Sequence, residues 1–338
     1  MTTTIGITMG CPAGIGPEVI LKYLTDQNRP TDSNLVVLGD RGVLAKCTSQ
    51  LGIKVELLPW QPGQKPSSDA IQVVDFAKID LGAHRWGQPS MATDTAMAEY
   101  IVTAVELIRQ GHLAAMVTCP ISKSGLQRAG YAFPGHTEML AELTGAKRYT
   151  MMMAGTSLKV TLATIHCSLA TVAERLTIAG ISELISVTAE AMQADFGVSR
   201  PRIAVAGLNP HSGENGLFGN QEQRIIRPAI ELAAARQIEV SGPYPPDTVF
   251  FAAANGQFDA VVCMYHDQGL IPFKLLHFKD GVNVTLGLPI VRTSVDHGTA
   301  YDIAGKGVAD PSSLAAAIAM ARDIAGNRRH HQPLGFPS

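Results

Sequence analysis

A chain of 338 residues, 46% hydrophobic and 17% charged, is long enough for two ordinary domains and too apolar for a disordered one. Its formal net charge of −2, with no basic run, leaves no footprint for nucleic acid, and no apolar stretch approaches the ~20 residues that span a bilayer. The opening "MTTTIGITMG" lacks the charged start and apolar region of a signal peptide, and five scattered cysteines (Cys11, Cys47, Cys119, Cys167, Cys263) form no CxxC pair. That usage fits reduced thiols in the cytoplasm, each a small buried hydrophobe.

In chain order, "GCPAGIGPE" (10–18) has glycines at 10, 14 and 16, which is neither GxGxxG nor GxxxxGK, and Pro17 suits the first turn of a helix. "NLVVLGD" (34–40) reads as a strand, with a helix from about Arg41. "TDTAMAEYIVTAVELIRQG" (93–111) predicts a helix capped by Thr93 or Asp94 and stopped at Gly111. "LAAMVT" (113–118), "RIAVAGLNPHSGE" (202–214) and "FDAVVCMYHDQG" (258–269) are apolar strands running into polar loops. The alternation predicts α/β architecture with a largely parallel sheet, and such sheets bind ligands beyond the carboxyl ends of their strands. The tail "NRRHHQPLGFPS" reads as a frayed end, with His330 and His331 weak candidates for a metal.

Three histidines stand after three such strands: His166 in "LKVTLATIHCSL", His211 in "RIAVAGLNPHSGE" and His266 in "CMYHDQG". Any one alone reads as a satisfied loop residue. Together they suggest a shared site, since three imidazoles with an open position make a catalytic divalent centre. Asp247 of "PPDTVF" and Asp267 beside His266 are candidates for a general base or for an orienter of an imidazole, Asp267 also for a helix cap. Lys123 of "TCPISKSGL" is a further proton-transfer candidate, provided that burial lowers its pKa.

Five stretches, "GITMGCPAGIGPE" (6–18), "FPGHTEMLAELTG" (133–145), "GLNPHSGENGLFGNQE" (207–222), "YPPDTVF" (244–250) and "YHDQGLIPFK" (265–274), resemble the 4-hydroxythreonine-4-phosphate dehydrogenase family of vitamin B6 biosynthesis. The resemblance runs from about residue 5 to residue 320. It implies two α/β/α domains with a cleft between them, in the isocitrate/isopropylmalate dehydrogenase-like fold. The boundaries expected are 1–130 plus 295–338 for the first domain and 131–294 for the second. It implies one divalent metal (Zn, Mg, Co or Mn) on His166, His211 and His266. Substrate contacts are implied at His136, Thr137, Lys274, Asn283 and Arg292, the last two in "GVNVTLG" and "IVRTS". "DHGTAYDIAGKGVADP" (296–311) resembles the nucleotide loop of β-decarboxylating dehydrogenases, which puts NAD or NADP near His297, Gly298, Thr299 and Asp302.

The implied protein is a cytoplasmic homodimer whose cleft the partner subunit completes, with His266 or its neighbours reaching across. The implied reaction is oxidation of 4-phosphohydroxy-L-threonine to 2-amino-3-oxo-4-phosphooxybutanoate, which loses CO2 to give 3-amino-2-oxopropyl phosphate. Cationic groups suit the two anionic ends of that substrate, Arg through its planar fork and Lys as a point charge. Two departures from the family pattern stand out. Cys11 stands where most members have aspartate, and "TCPISKSGLQRAG" (118–130) is closer to relatives acting on D-threonate or D-erythronate 4-phosphate. The same chemistry on one of those acids is therefore the alternative, with an aromatic cis-dihydrodiol dehydrogenase a weaker variant. An inactive metabolite- or metal-binding homologue is the reading of another class.

Overall fold

The chain opens with β1 (Thr3–Thr8), α1 (Gly16–Leu24), β2 (Ser33–Gly39), α2 (Arg41–Leu51), β3 (Glu56–Pro59) and β4 (Ala70–Asp75). Next come α3 (Met91–Arg109), β5 (Ala115–Thr118), α4 (Lys123–Arg128) and α5 (His136–Thr144). This computed structural model describes residues 3–64 and 70–330, so His331 lies outside the described residues, as does the side chain of His330. The chain divides into two units, Met1–Lys147 with Leu288–Ser338, and Arg148–Gly287. His136 and Thr137 thereby fall in the first unit.

The second unit contains β6 (Thr150–Ala154), β7 (Lys159–Leu162), α6 (Val172–Arg175), α7 (Ile178–Ala194), β8 (Ile203–Ala206) and α8 (Arg227–Ala234). It continues through β9 (Val240–Tyr244), α9 (Val249–Ala254), β10 (Ala260–Cys263), α10 (His266–Leu276) and β11 (Val282–Leu286). The chain then returns to the first unit with β12 (Arg292–Val295) and α11 (Ser312–His330).

In the first unit the strand order is β3-β4-β2-β1-β5-β12, every neighbour parallel. Burial explains that choice. β5 and β12 are buried at every residue, and β1 from Ile5 to Thr8, so both faces of the sheet are covered. The helix α3 packs on β1, β2 and β5, while α11 packs with α1 and on β1, β5 and β12. Tyr100 of α3 is fully buried and donates to Asp40 Oδ2 at 2.5 Å, while Asp40 Oδ1 accepts the Lys78 and Ile79 amides. That carboxylate ties the end of β2 to the segment after β4.

The cap of α3 differs from the sequence expectation. Ser90, not Thr93 or Asp94, is the N-cap: its hydroxyl accepts the Thr93 amide, and Thr93 Oγ1 accepts the Ser90 amide at 2.8 Å. Thr93 is thus the returning half of a capping box.

The second unit has the order β11-β6-β7-β10-β8-β9. Its β11, β6 and β7 are antiparallel neighbours, and β7, β10, β8 and β9 are parallel. Its core gathers Val160, Leu162, Val261, Cys263, Leu270 and Phe273. At the tip of the β6–β7 hairpin, Ser157 Oγ lies 2.8 Å from His277 Nε2, and His277 Nδ1 lies 3.1 Å from Asp280 Oδ2. The Ser157 amide points at the same Nε2. His277 is 3% exposed and pins the hairpin to the end of α10.

Candidate active site

In the first unit, polar groups collect at the carboxyl ends of β1, β5 and β12. Gly10 turns the chain out of β1 in the left-handed region (φ 70°), where a Cβ would also strike the Pro120 carbonyl. The Cys11 amide then donates to Pro120 O at 2.9 Å, and the Ile15 amide to Thr299 O at 3.1 Å. Cys11 is fully buried and accepts from the Tyr301 hydroxyl at 3.3 Å. Burial raises its pKa, which keeps the thiol neutral where a carboxylate is expected.

The segment after β12 carries His297, Gly298, Thr299 and Asp302, and its far end is firmly held. Glu18, 1% exposed, accepts the amides of Gly307 (3.1 Å) and Ala309 (2.7 Å). Lys22, one helical turn on, donates to the carbonyls of the same two residues and pairs with Glu18 at 3.1 Å. At the near end, His297 Nδ1 meets Gly298 O at 3.1 Å while Nε2 is buried with no hydrogen-bond partner. Gly298 and Asp302 are exposed.

Arg292 is a buried cation, not a solvated one. It is 3% exposed, and its Nε and Nη2 both donate to Thr118 Oγ1, at 3.1 and 2.9 Å. Burial lowers its pKa to about 9, against the opposing pull of Glu138. His136 opens α5, a helix with no side-chain cap at its N-terminus. Its Nε2 is buried without a hydrogen-bond partner. Burial, then the Arg292 charge, pushes its pKa well below the usual histidine value, so the ring is neutral at pH 7. A buried cation, a neutral ring nitrogen and an uncapped helix start suit an anion. Lys123, by contrast, is exposed at the start of α4, which removes the burial on which its role as a tuned base depended.

In the second unit, His166, His266, His211 and Asp247 follow β7, β10, β8 and β9, four parallel strands adjacent in that order. The structure brings the first two together: the rings of His166 and His266 are 5.9 Å apart, centroid to centroid, in the same chain. They line a cavity of about 630 Å3 with Thr164, Cys167, Tyr265 and Asp267. His211 follows β8, in the loop between that strand and α8. It opens a left-handed run, His211 to Asn215, with φ between 41° and 78°, and its ring faces Phe218 at 6.1 Å. Among the described residues no group of three or more His, Cys, Asp or Glu side chains is placed to hold a metal ion.

The donors nevertheless fit a divalent ion in kind. Asp267 Oδ1 lies 2.7 Å from His266 Nδ1. An ionised carboxylate only accepts, so the proton sits on Nδ1 and the Nε2 lone pair is left for a cation. Asp267 therefore orients His266; the N-cap of α10 is Tyr265. Asp247 is exposed in the turn after β9. Lys274 lies half-buried with its Nζ 5.8 Å from the Phe278 ring centroid, and Asn283 sits within β11.

Three buried polar residues in this unit went unnoticed in the sequence: Thr164, Gln268 and Glu222. All three hydrogen-bond to the backbone of the histidine-bearing loops. The last two stand inside the quoted "YHDQG" and "GNQE" stretches, but nothing in their spacing marks them.

In each unit, cationic or imidazole side chains stand where parallel strands end, which is where α/β enzymes keep their sites. Residues 31–321 match the family described as pyridoxal phosphate biosynthetic protein PdxA, and the chain belongs to that family. A 4-hydroxythreonine-4-phosphate dehydrogenase from Desulfosudis oleivorans is 54% identical over 95% of this chain and 96% of that protein. The crystal structure of the Klebsiella pneumoniae 4-hydroxythreonine-4-phosphate dehydrogenase superposes with a TM-score of 0.89 at 43% identity, covering 96% of this chain and 98% of that one. A putative D-threonate 4-phosphate dehydrogenase from Oceanobacillus iheyensis is 41% identical over 95% and 97% of the two chains. By family the chain is an oxidoreductase.

Proposed function

We propose that the protein is a cytoplasmic, homodimeric enzyme that oxidises 4-phosphohydroxy-L-threonine with NAD or NADP, in the synthesis of pyridoxal phosphate. The product, 2-amino-3-oxo-4-phosphooxybutanoate, is a β-keto acid and loses CO2 to give 3-amino-2-oxopropyl phosphate. The observation that carries this reading is near-full-length similarity to a relative named for that substrate, at 54% identity.

The residues divide the work. Arg292, His136 and Thr137 take one anionic end of the substrate, in a pocket where the guanidinium plane is already fixed by Thr118. Lys274 and Asn283 contact the rest of the molecule. His166, His211 and His266 would hold a divalent ion, which when bound would lower the pKa of the reacting hydroxyl and stabilise negative charge there. Bound NAD(P) near His297, Gly298, Thr299 and Asp302 supplies the hydride acceptor. Asp267 keeps the proton on His266 Nδ1, and Asp247 takes the proton of the substrate hydroxyl.

The dimer is supported by α10. Its Leu270 and Phe273 are buried, yet Ile271 and Leu275 are exposed at 60% and 81%, as is Phe278 just beyond the helix at 78%. An apolar stripe at helical spacing on the outer side suits a second copy of the chain.

Purified protein loaded with Zn2+, Mg2+, Co2+ or Mn2+ is expected to form NADH or NADPH from 4-phosphohydroxy-L-threonine. No turnover with any of these ions removes the assignment. D-threonate 4-phosphate is the second reading, favoured by the Oceanobacillus relative and by the 118–130 stretch. The ratio of kcat/KM for the two acids decides between them, because a site built for the amine discriminates strongly against its absence.

A further inference from the structure

The loops that follow β7, β10 and β8 are stitched to one another by buried side chains that touch no expected ligand. Thr164 donates both its amide and its hydroxyl to Met264 O, at 3.2 and 2.8 Å, joining the His166 loop to the His266 loop. Gln268, 6% exposed, accepts the Met264 amide on Oε1 and donates through Nε2 to Gly207 O, each at 2.6 Å. It thereby joins the His266 loop to the start of the His211 loop. Glu222, 2% exposed, accepts the Leu208 and Asn209 amides on Oε1, at 2.8 and 2.7 Å, and Asn209 Nδ2 on Oε2 at 3.0 Å.

A carboxylate is costly to bury, and among the described residues Glu222 forms no ion pair with Lys, Arg or His. Its partners are the amides of a chain that has just left β8 and has no strand to pair with. The left-handed run begins two residues after Asn209, so the direction in which His211 leaves depends on where residues 207–209 are held.

We propose that Gln268 and Glu222 are positioning residues that set the His211 and His266 loops in register for a divalent cation. The inference rests on the metal reading above and extends it to residues that cannot reach the ion themselves. A purely structural role would lower stability and leave the affinity of the folded protein for metal unchanged.

Cobalt(II) is the probe, because its visible absorption reports binding without turnover. Metal-free protein is titrated with cobalt in wild type and in Glu222→Gln, Gln268→Glu, His211→Ala and Asp259→Asn. Glu222→Gln weakens the charge that gathers the amides. Gln268→Glu keeps the acceptor for Met264 and loses the donor to Gly207 O. Asp259, paired with Arg202 on the surface of the same unit, controls for general destabilisation.

The expected result is a rise of about 10- to 100-fold in the cobalt Kd for Glu222→Gln and Gln268→Glu, the usual size for residues that orient metal ligands. Asp259→Asn stays within about twofold of wild type, and circular dichroism is unchanged in all four variants. If Glu222→Gln proves unfolded, Gln268→Glu alone carries the test. Lost binding in His211→Ala beside wild-type affinity in both positioning variants overturns the inference and leaves the metal reading standing. Failure of the wild type to bind cobalt overturns both.

Discussion

A guanidinium buried as deeply as Arg292 needs a partner of opposite charge or a reason to be there. Glu138 lies near enough to act on it, and Thr118 fixes its plane. Replacing it with lysine keeps a positive charge and loses the fork. Loss of one charge-assisted hydrogen bond costs roughly 1.5–3 kcal/mol, about 10- to 100-fold in kcat/KM. Arg292→Lys is therefore expected to lower kcat/KM by that factor with the thermal midpoint little changed, and steady-state kinetics beside a melting curve check it. His136 gives a second expectation. Its folded pKa lies below the usual value of about 6.5, so below that pH the unfolded chain takes up a proton that the folded chain refuses. Stability should be full above about pH 6.5 and fall as the pH drops from there towards the folded pKa. In His136→Gln the decline in melting temperature between pH 7.5 and 5.5 should be shallower. A residual decline belongs to His84, whose pKa burial also lowers.

At the scale of elements, the strands were legible because their apolar runs are the part of the chain that must be covered. β5, β8 and β10 lie within the stretches that the sequence marked, and β2 starts one residue before its own. Capping was less legible, because a capping box needs two residues three apart and the apolar pattern points only to the second. Ser90→Ala should remove about 1 kcal/mol, a drop of roughly 2–4 °C in melting temperature, measurable by calorimetry. An equal drop for Asp94→Ala alone would not test the cap, since Asp94 is buried and paired with Arg128. The 207–222 loop was legible as the polar segment after β8, but its path was not. Its left-handed residues include Gly213, Gly216 and Gly219, which mark a turn, but also His211, Ser212, Glu214 and Asn215, which no local signal announces. What holds it is Glu222, a contact made only once the chain has folded back. For the same reason the three histidines were identifiable as candidates from their strand-end positions, while their mutual distances were not.

At the scale of the whole molecule, the apolar stripe of α10 predicts association. Leu275→Glu combined with Phe278→Glu is expected to shift the protein from dimer to monomer in light scattering and to abolish turnover, since the proposed cleft needs a second copy. A variant that stays dimeric would show that the copies meet elsewhere. A different consequence follows from the clasp that Glu18 and Lys22 place on Gly307 and Ala309, some 290 positions further along the chain. It fixes one end of the 296–309 segment, while nearer the other end Thr299 and Tyr301 are tied to Ile15 and Cys11. Under the proposed coenzyme assignment, an engineer who wishes to retune coenzyme choice has latitude at Gly298 and Asp302, which face solvent. Edits at 305–309 would instead loosen the hinge post from which the rest of the segment hangs.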